Sequence, residues 1–152
     1  MVPEGLTACP SGYGPKETMN RLVAAVTARG MAVLARIDHA AAAAQAGMEL
    51  RPTEVLDFGN PRAGTPLMQA AQTMGIDLPL KALVWEDAGG ATWLAYNDPA
   101  WLARRHGVGT GAERVLAAMQ EVLAAVGEEA TGHGAAAGVE PAARQPSARE
   151  GG

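Results

Sequence analysis

One cysteine, one phenylalanine, two tyrosines and two lysines are all that 152 residues hold of those four types. The lone thiol, Cys9, closes no internal disulfide and builds no cysteine-based metal cluster. His39, His106 and Asp38 show none of the regular spacings of a zinc site, so no metal is expected, and no cofactor either. Serine is as scarce: Ser11 and Ser147 both sit in irregular segments, which leaves no Ser–His–acid set. Gly-Lys-Ser/Thr, the end of a phosphate-binding P-loop, is missing. The formal net charge is −4 and no block of like charge stands out, so the basic face that nucleic acid needs is absent. No apolar run reaches the roughly eighteen residues of a membrane span. The opening MVPEGLTACPSGYGPKE lacks the basic start and apolar run of a signal peptide. The expectation is a soluble cytoplasmic protein without nucleic-acid or membrane partners.

What is present is alanine-rich apolar sequence, 48% hydrophobic overall, on a chain of one-domain length. The core must come from Val, Leu, Ile and Met around three tryptophans. Residues 1–15 read as an irregular lead-in in which LTAC can pair at a sheet edge. Met19, Leu22, Val23 and Val26 then mark one helical face, stopped by Gly30. MAVLARI alternates as a half-buried strand. In DHAAAAAQAG, Asp38 is a good N-cap, and the alanine face predicts a helix able to pack very close to its neighbour. TEVLDFG is a strand with Leu56 and Phe58 on one side and Val55 and Asp57 on the other. After it, Thr65 as N-cap and Pro66 at the first helical position predict a helix over TPLMQAAQTMG. LKALVWED and ATWLAY, joined by DAGG, form a hairpin. A short helix follows Asp98-Pro99, and an amphipathic helix ends near residue 126. Residues 127–152, built from Gly, Ala, Glu, Pro and Ser, read as disordered. The order predicts a two-layer α+β domain, helices packed on one side of a mixed sheet, with a ferredoxin-like arrangement as the alternative.

Four motif pieces occur in order: Asp38-His39; Phe58-Gly59-Asn60-Pro61 with Gly64-Thr65; Leu78-Pro79-Leu80-Lys81; and Tyr96-Asn97-Asp98-Pro99. Together they resemble the domain-of-unknown-function 302 family over roughly residues 16–108, leaving Cys9, the helix over 109–126 and the tail outside the pattern. The resemblance implies a compact two-layer α/β fold that tends to form homodimers. It implies no activity.

Three places invite chemistry. Gly59-Asn60-Pro61 leaves a strand and Gly64-Thr65-Pro66 opens a helix. Free amides there, with the Thr65 hydroxyl and the Arg62 guanidinium, suit a phosphate or carboxylate. The same residues equally suit a plain turn and cap. His39 sits at a helix start, where the dipole disfavours an imidazolium, so it can serve as a neutral base or ligand. It can equally be part of a local cap. Lys81 lies in an apolar strand beside Leu83 and Trp85. A buried ammonium there needs a carboxylate, with Asp57 in reach, or becomes an amine nucleophile; an edge lysine that discourages aggregation is the alternative. The expected site therefore joins Asp38, His39, Gly59, Asn60, Arg62, Gly64, Thr65 and Lys81 around one hollow. The leading reading is a homodimeric binding module for an anionic or polar small molecule. The alternatives are an enzyme with His39 as general base and Lys81 or Arg62 as electrostatic stabiliser, and a protein-interaction domain using Trp85, Trp93 and Trp101.

Overall fold

A computed structural model describes residues 2–132. The lead-in forms strand β1 (Leu6–Pro10), and the first helical periodicity forms helix α1 (Pro15–Ala28), with Pro15 at its start, where a missing N–H is harmless. Strand β2 (Ala32–Asp38) leads into α2 (His39–Gln45), and β3 (Thr53–Gly59) into α3 (Pro61–Ala70). A 3-10 turn (Gln72–Ile76) precedes β4 (Leu80–Glu86), which makes a hairpin with β5 (Thr92–Asn97). Helices α4 (Pro99–Arg105) and α5 (Glu113–Thr131) complete the described chain.

The five strands form one sheet in the order β1-β5-β4-β3-β2. Every neighbouring pair is antiparallel, so the sheet is not mixed, and its five-strand order, with β1 and β2 at the two edges, is that of neither a mixed sheet nor a four-strand ferredoxin-like one. β1 and β2 occupy opposite edges, and α1 carries the chain from one edge to the other across a single face. Alternation decides which side chains meet it: Cys9, Leu56, Phe58, Leu80, Ala82, Val84, Leu94 and Tyr96 point to the helices. They pack against Met19, Leu22 and Val26 of α1, Leu67 of α3, Leu102 of α4, and Met119, Leu123 and Val126 of α5. Phe58, Leu56, Met19 and Leu22 are fully buried. With so few aromatics, methionine and leucine fill the layer between sheet and helices.

The opposite sheet face carries a second, smaller cluster. Ala8, Trp93 and Ala95 are buried there with Leu6 and Trp85 against them. Trp85 and Trp93 are directly opposed across the hairpin, their ring centroids 6.4 Å apart. Trp101 lies elsewhere, on α4, packed against the main core.

Several local expectations change. β2 is not half-buried: none of its residues is buried, and a bulge falls between Val33 and Ala35. The alanine helix α2 is capped as expected, with the Ala41 amide donating to Asp38 Oδ1 at 2.9 Å. It buries none of its seven residues, however, so small side chains there do not serve close packing. α3 starts five residues earlier than expected, at Pro61 instead of Pro66, because Asn60 and Pro61 already supply a cap and a first-turn proline. Pro66 therefore falls inside the helix, where it removes the N–H that would bond the Arg62 carbonyl. α5 continues to Thr131, five residues beyond the expected end, since Gly-Glu-Glu-Ala-Thr keeps Ala130 and Thr131 on its buried side. The remainder of the expected disordered stretch, from residue 133, lies outside the described residues.

Candidate functional site

Gly59, Asn60 and Pro61 sit at the mouth of a groove of about 740 Å³ on the helix side of the sheet. One wall is the start of β2 with the residue before it, through Met31, Ala32 and Leu34. A second is α3, through Arg62, Ala63, Thr65 and Met68. The third is α5, through Arg114, Val115, Ala118, Met119 and Val122. Leu78, Pro79 and Leu80 form the remaining side near the bend, and Arg29 stands at the rim. The groove exists because β2 is an edge strand: α1 and α5 cover the middle of the sheet, and α3 approaches from the end without closing the corner. Leu34 is left 61% exposed.

Three of the lining residues are arginines, and none is a carboxylate. Arg29 is engaged: its guanidinium donates to both Glu129 oxygens, at 2.9 and 2.6 Å. That bidentate pair holds the Glu129 carboxyl below its ordinary range. Among the described residues, no ion pair or side-chain hydrogen bond occupies the guanidinium of Arg62 or Arg114. Each belongs to the first turn of its helix and is exposed.

The amides expected to cradle an anion at the start of α3 are already bonded. Pro61 has no N–H. The Arg62 amide donates to Asn60 Oδ1 at 3.0 Å, and the Ala63 and Gly64 amides both reach the Asn60 carbonyl, at 2.9 and 3.1 Å. The carboxamide oxygen of Asn60 thus stands where a bound anion's oxygen would be, and what remains free for an anion is the Arg62 side chain. Thr65 lines the groove from inside the helix, while Gly64 packs toward Leu78 and is not among the lining residues.

The other expected members lie elsewhere. His39 follows the far end of β2: Ala32 pairs with Gly59, whereas Asp38 pairs with Glu54. Six residues of strand put His39 about 20 Å from the bend, and it is exposed. Lys81 is directly opposite Asp57 in the β3–β4 register, on the sheet face turned away from the groove. Its Nζ is 3.6 Å from Asp57 Oδ2, while Asp57 Oδ1 is buried with no hydrogen-bond partner among the described residues. His39, Lys81 and the glycine bend therefore do not share a hollow. The cause is strand geometry: alternation sends Lys81 and Leu80 to opposite faces, and only Leu80 reaches the groove.

Two polar clusters carry no signal in the sequence. His106 Nε2 is 2.5 Å from Asp77 Oδ2 and its Nδ1 is 2.9 Å from Thr73 Oγ1; Arg105 binds the same carboxylate at 2.8 Å. This set ties the 3-10 turn to the end of α4. At the other edge, Glu54 is buried on the helix face with Arg36 paired to it and Lys16 Nζ at 3.8 Å, and Arg36 also donates to Asn20 of α1. Neither cluster has a local motif. Among the described residues no group of three or more His, Cys, Asp or Glu side chains is placed to hold a metal ion. Cys9 is buried in the core, and that burial pushes its thiol up.

A five-stranded antiparallel sheet with its helices on one face and a groove at one corner defines a small α+β domain. The chain belongs to the family described as domain of unknown function DUF302, which matches residues 7–126 and so takes in Cys9 and most of α5, both beyond the motif region. A crystal structure of an uncharacterised conserved DUF302 protein from Bacillus stearothermophilus has the same fold, with a TM-score of 0.74 at 20% identity. The match covers 84% of this chain and 99% of that one. Among curated proteins, the chain is 46% identical over 119 residues to proteins named fluoride-specific ion channel FluC 1 from Brucella suis and Brucella abortus. The match covers 78% of this chain but 47% and 44% of those proteins, so the chain spans less than half the length of these relatives. Among the described residues, no helix is long and apolar enough to cross a membrane.

Proposed function

We propose that this protein is a binding module for a small molecule, held in the corner groove between β2, α3 and α5. The groove itself carries the reading. Its volume lies within the range of about 300–1,000 Å³ usual for small-molecule sites, and its lining is mainly aliphatic with a few polar groups at the rim. Of the residues singled out in the sequence, Gly59, Asn60, Arg62 and Thr65 belong to this proposal. An enzyme built on His39 with Lys81 or Arg62 finds no support in the geometry, because a general base must come within hydrogen-bond reach of a shared substrate. The test is a thermal-shift screen of metabolites on wild type and on Ala118→Trp, which fills the groove from α5. A true ligand at a hundredfold excess over its dissociation constant stabilises wild type by about 2.7 kcal/mol and does little for the variant. Hits that act equally on both proteins refute the groove as the site.

The curated relatives favour a second reading of the module's setting. A domain this similar to part of proteins named as fluoride-specific channels would work alongside such a channel, its ligand state linked to channel activity. Loss of the protein should then change the fluoride tolerance of cells that carry such a channel; unchanged tolerance removes this reading. We also propose a homodimer formed through the tryptophan-bearing sheet face. Leu83→Lys on that face should halve the mass seen by light scattering.

A further inference from the structure

We infer that the groove's ligand is a single-chain amphiphilic anion: an apolar chain or ring system carrying one carboxylate or phosphate head. The inference rests on the groove being a binding site and names what it selects.

Its basis is the sorting of charge. The protein as a whole is acidic, with 16 Asp and Glu against 12 Lys and Arg. Yet the groove lining holds three arginines and no acidic residue. Arg29 is neutralised by Glu129. Arg62 and Arg114 are not neutralised by any described residue, and they stand on the first turns of two different helices that flank the same opening. Glu113, the one acid beside them in sequence, is turned to the Gly111 amide, which donates to Glu113 Oε2 at 2.7 Å. The same lining holds the aliphatic side chains of Leu34, Met68, Leu78, Val115, Met119 and Val122. A wholly polar anion would leave that aliphatic floor wet, and a neutral hydrocarbon would leave two unpaired cations beside it. A molecule with both parts satisfies both ends, since guanidinium groups bind carboxylate and phosphate through charge-assisted hydrogen bonds. The bonded amides of α3 strengthen this assignment, because the head must be held by side chains at the rim and the tail is left to the floor.

The experiment measures binding of decanoate, decyl phosphate, decanol and decyltrimethylammonium, each below its micelle threshold. Isothermal titration is run on wild type, Arg62→Ala/Arg114→Ala and Ala118→Trp. The expected order is both anions tightest, decanol weaker, and the cation weakest. The double arginine variant should lose about tenfold or more in affinity for the anions and keep its affinity for decanol. Lengthening the anion should tighten binding by about fourfold per methylene while the tail still fits. Carboxylate and phosphate arms separate the two head chemistries. Equal binding of decanol and decanoate to wild type overturns the amphiphilic anion and leaves the binding module standing. Failure of all four probes, together with a concentration-dependent dimer abolished by Ala118→Trp, assigns the groove to a second copy of the chain and overturns both. Capture on phosphatidylglycerol vesicles without any monomer binding overturns the single-chain ligand in favour of a lipid surface.

Discussion

Replacing Gly5 by alanine should cost more than a glycine-to-alanine change at any open turn of this protein. Gly5 has φ +82°, in the left-handed region, and a Cβ added there would run into the Trp101 indole, 2.6 Å from its Cγ and 2.7 Å from its Cε3. The backbone part of the penalty is about 1–2 kcal/mol. Carbon atoms meet comfortably at about 3.5–4.0 Å, so the indole must move, and overpacking of this kind costs about 1–3 kcal/mol more. The total is about 2–5 kcal/mol. Gly30 provides the internal control, with φ +75° and nothing within 4 Å of the Cβ that alanine would add; Gly30→Ala should show the backbone part alone. The lead-in is also held by the Asp98 amide, which donates to the Gly5 carbonyl at 2.7 Å. Asp98 in turn caps α4 through the Ala100 amide and accepts from Gln120 of α5. Displacing Trp101 therefore disturbs three elements at once. Urea unfolding of Gly5→Ala, Gly30→Ala, Trp101→Ala and Gly5→Ala/Trp101→Ala measures both parts. The excess at Gly5 should vanish in the Trp101→Ala background. Equal losses at Gly5 and Gly30, or an excess that survives without the indole, would refute the steric argument.

Asn60→Ala removes the α3 cap and should lower stability by about 1 kcal/mol; a change under a few tenths in urea unfolding would mean the cap carries nothing. Asp77→Ala strips His106 and Arg105 of their shared acceptor, and about 1–3 kcal/mol should be lost, read by the same assay, with His106→Ala losing a comparable amount. Asp87 is held below the usual 3.8 by the Trp93 indole N–H, and further by the Ala91 and Gly89 amides. Its folded value being depressed, the stability it contributes is present above about pH 4 and is lost as pH falls through that lower value. Asp87→Asn should flatten this part of the acid stability curve, and an unchanged curve would count against the linkage.

Much of the architecture is legible in the residues. The period of α1, the Asp38 and Asp98 caps and the DAGG hairpin are each determined by neighbours in sequence, and each stands where expected. The start of α3 is ambiguous in the sequence because two sets of good cap chemistry, Asn60-Pro61 and Thr65-Pro66, lie five residues apart, and the earlier one opens the helix. The exposure of β2 is invisible there because alternation reports a face and says nothing of whether anything covers it. For the site, the glycine bend is marked by its turn chemistry, and Arg62 with it. Only residue type links His39 and Lys81 to them, and strand length and pleat separate them. Arg114 and Met119 give no signal beyond an apolar stripe with one more charge beside it. Their part in the groove depends on where α5 crosses the sheet, which is a matter of packing at long range.

The strand that walls the groove is also an edge strand that buries none of its own side chains. β2 is joined on one side only, its ladder to β3 is interrupted by the bulge, and the helix it leads into anchors nothing beneath it. Segments with few buried side chains open at a small fraction of the global unfolding free energy. Amide hydrogens of residues 32–45 should thus exchange with solvent well ahead of those in β4 and β5. On the proposed binding role, a guest would enter by a sideways yielding of β2 while the central strands stay shut, and its release would be limited by how often that wall opens.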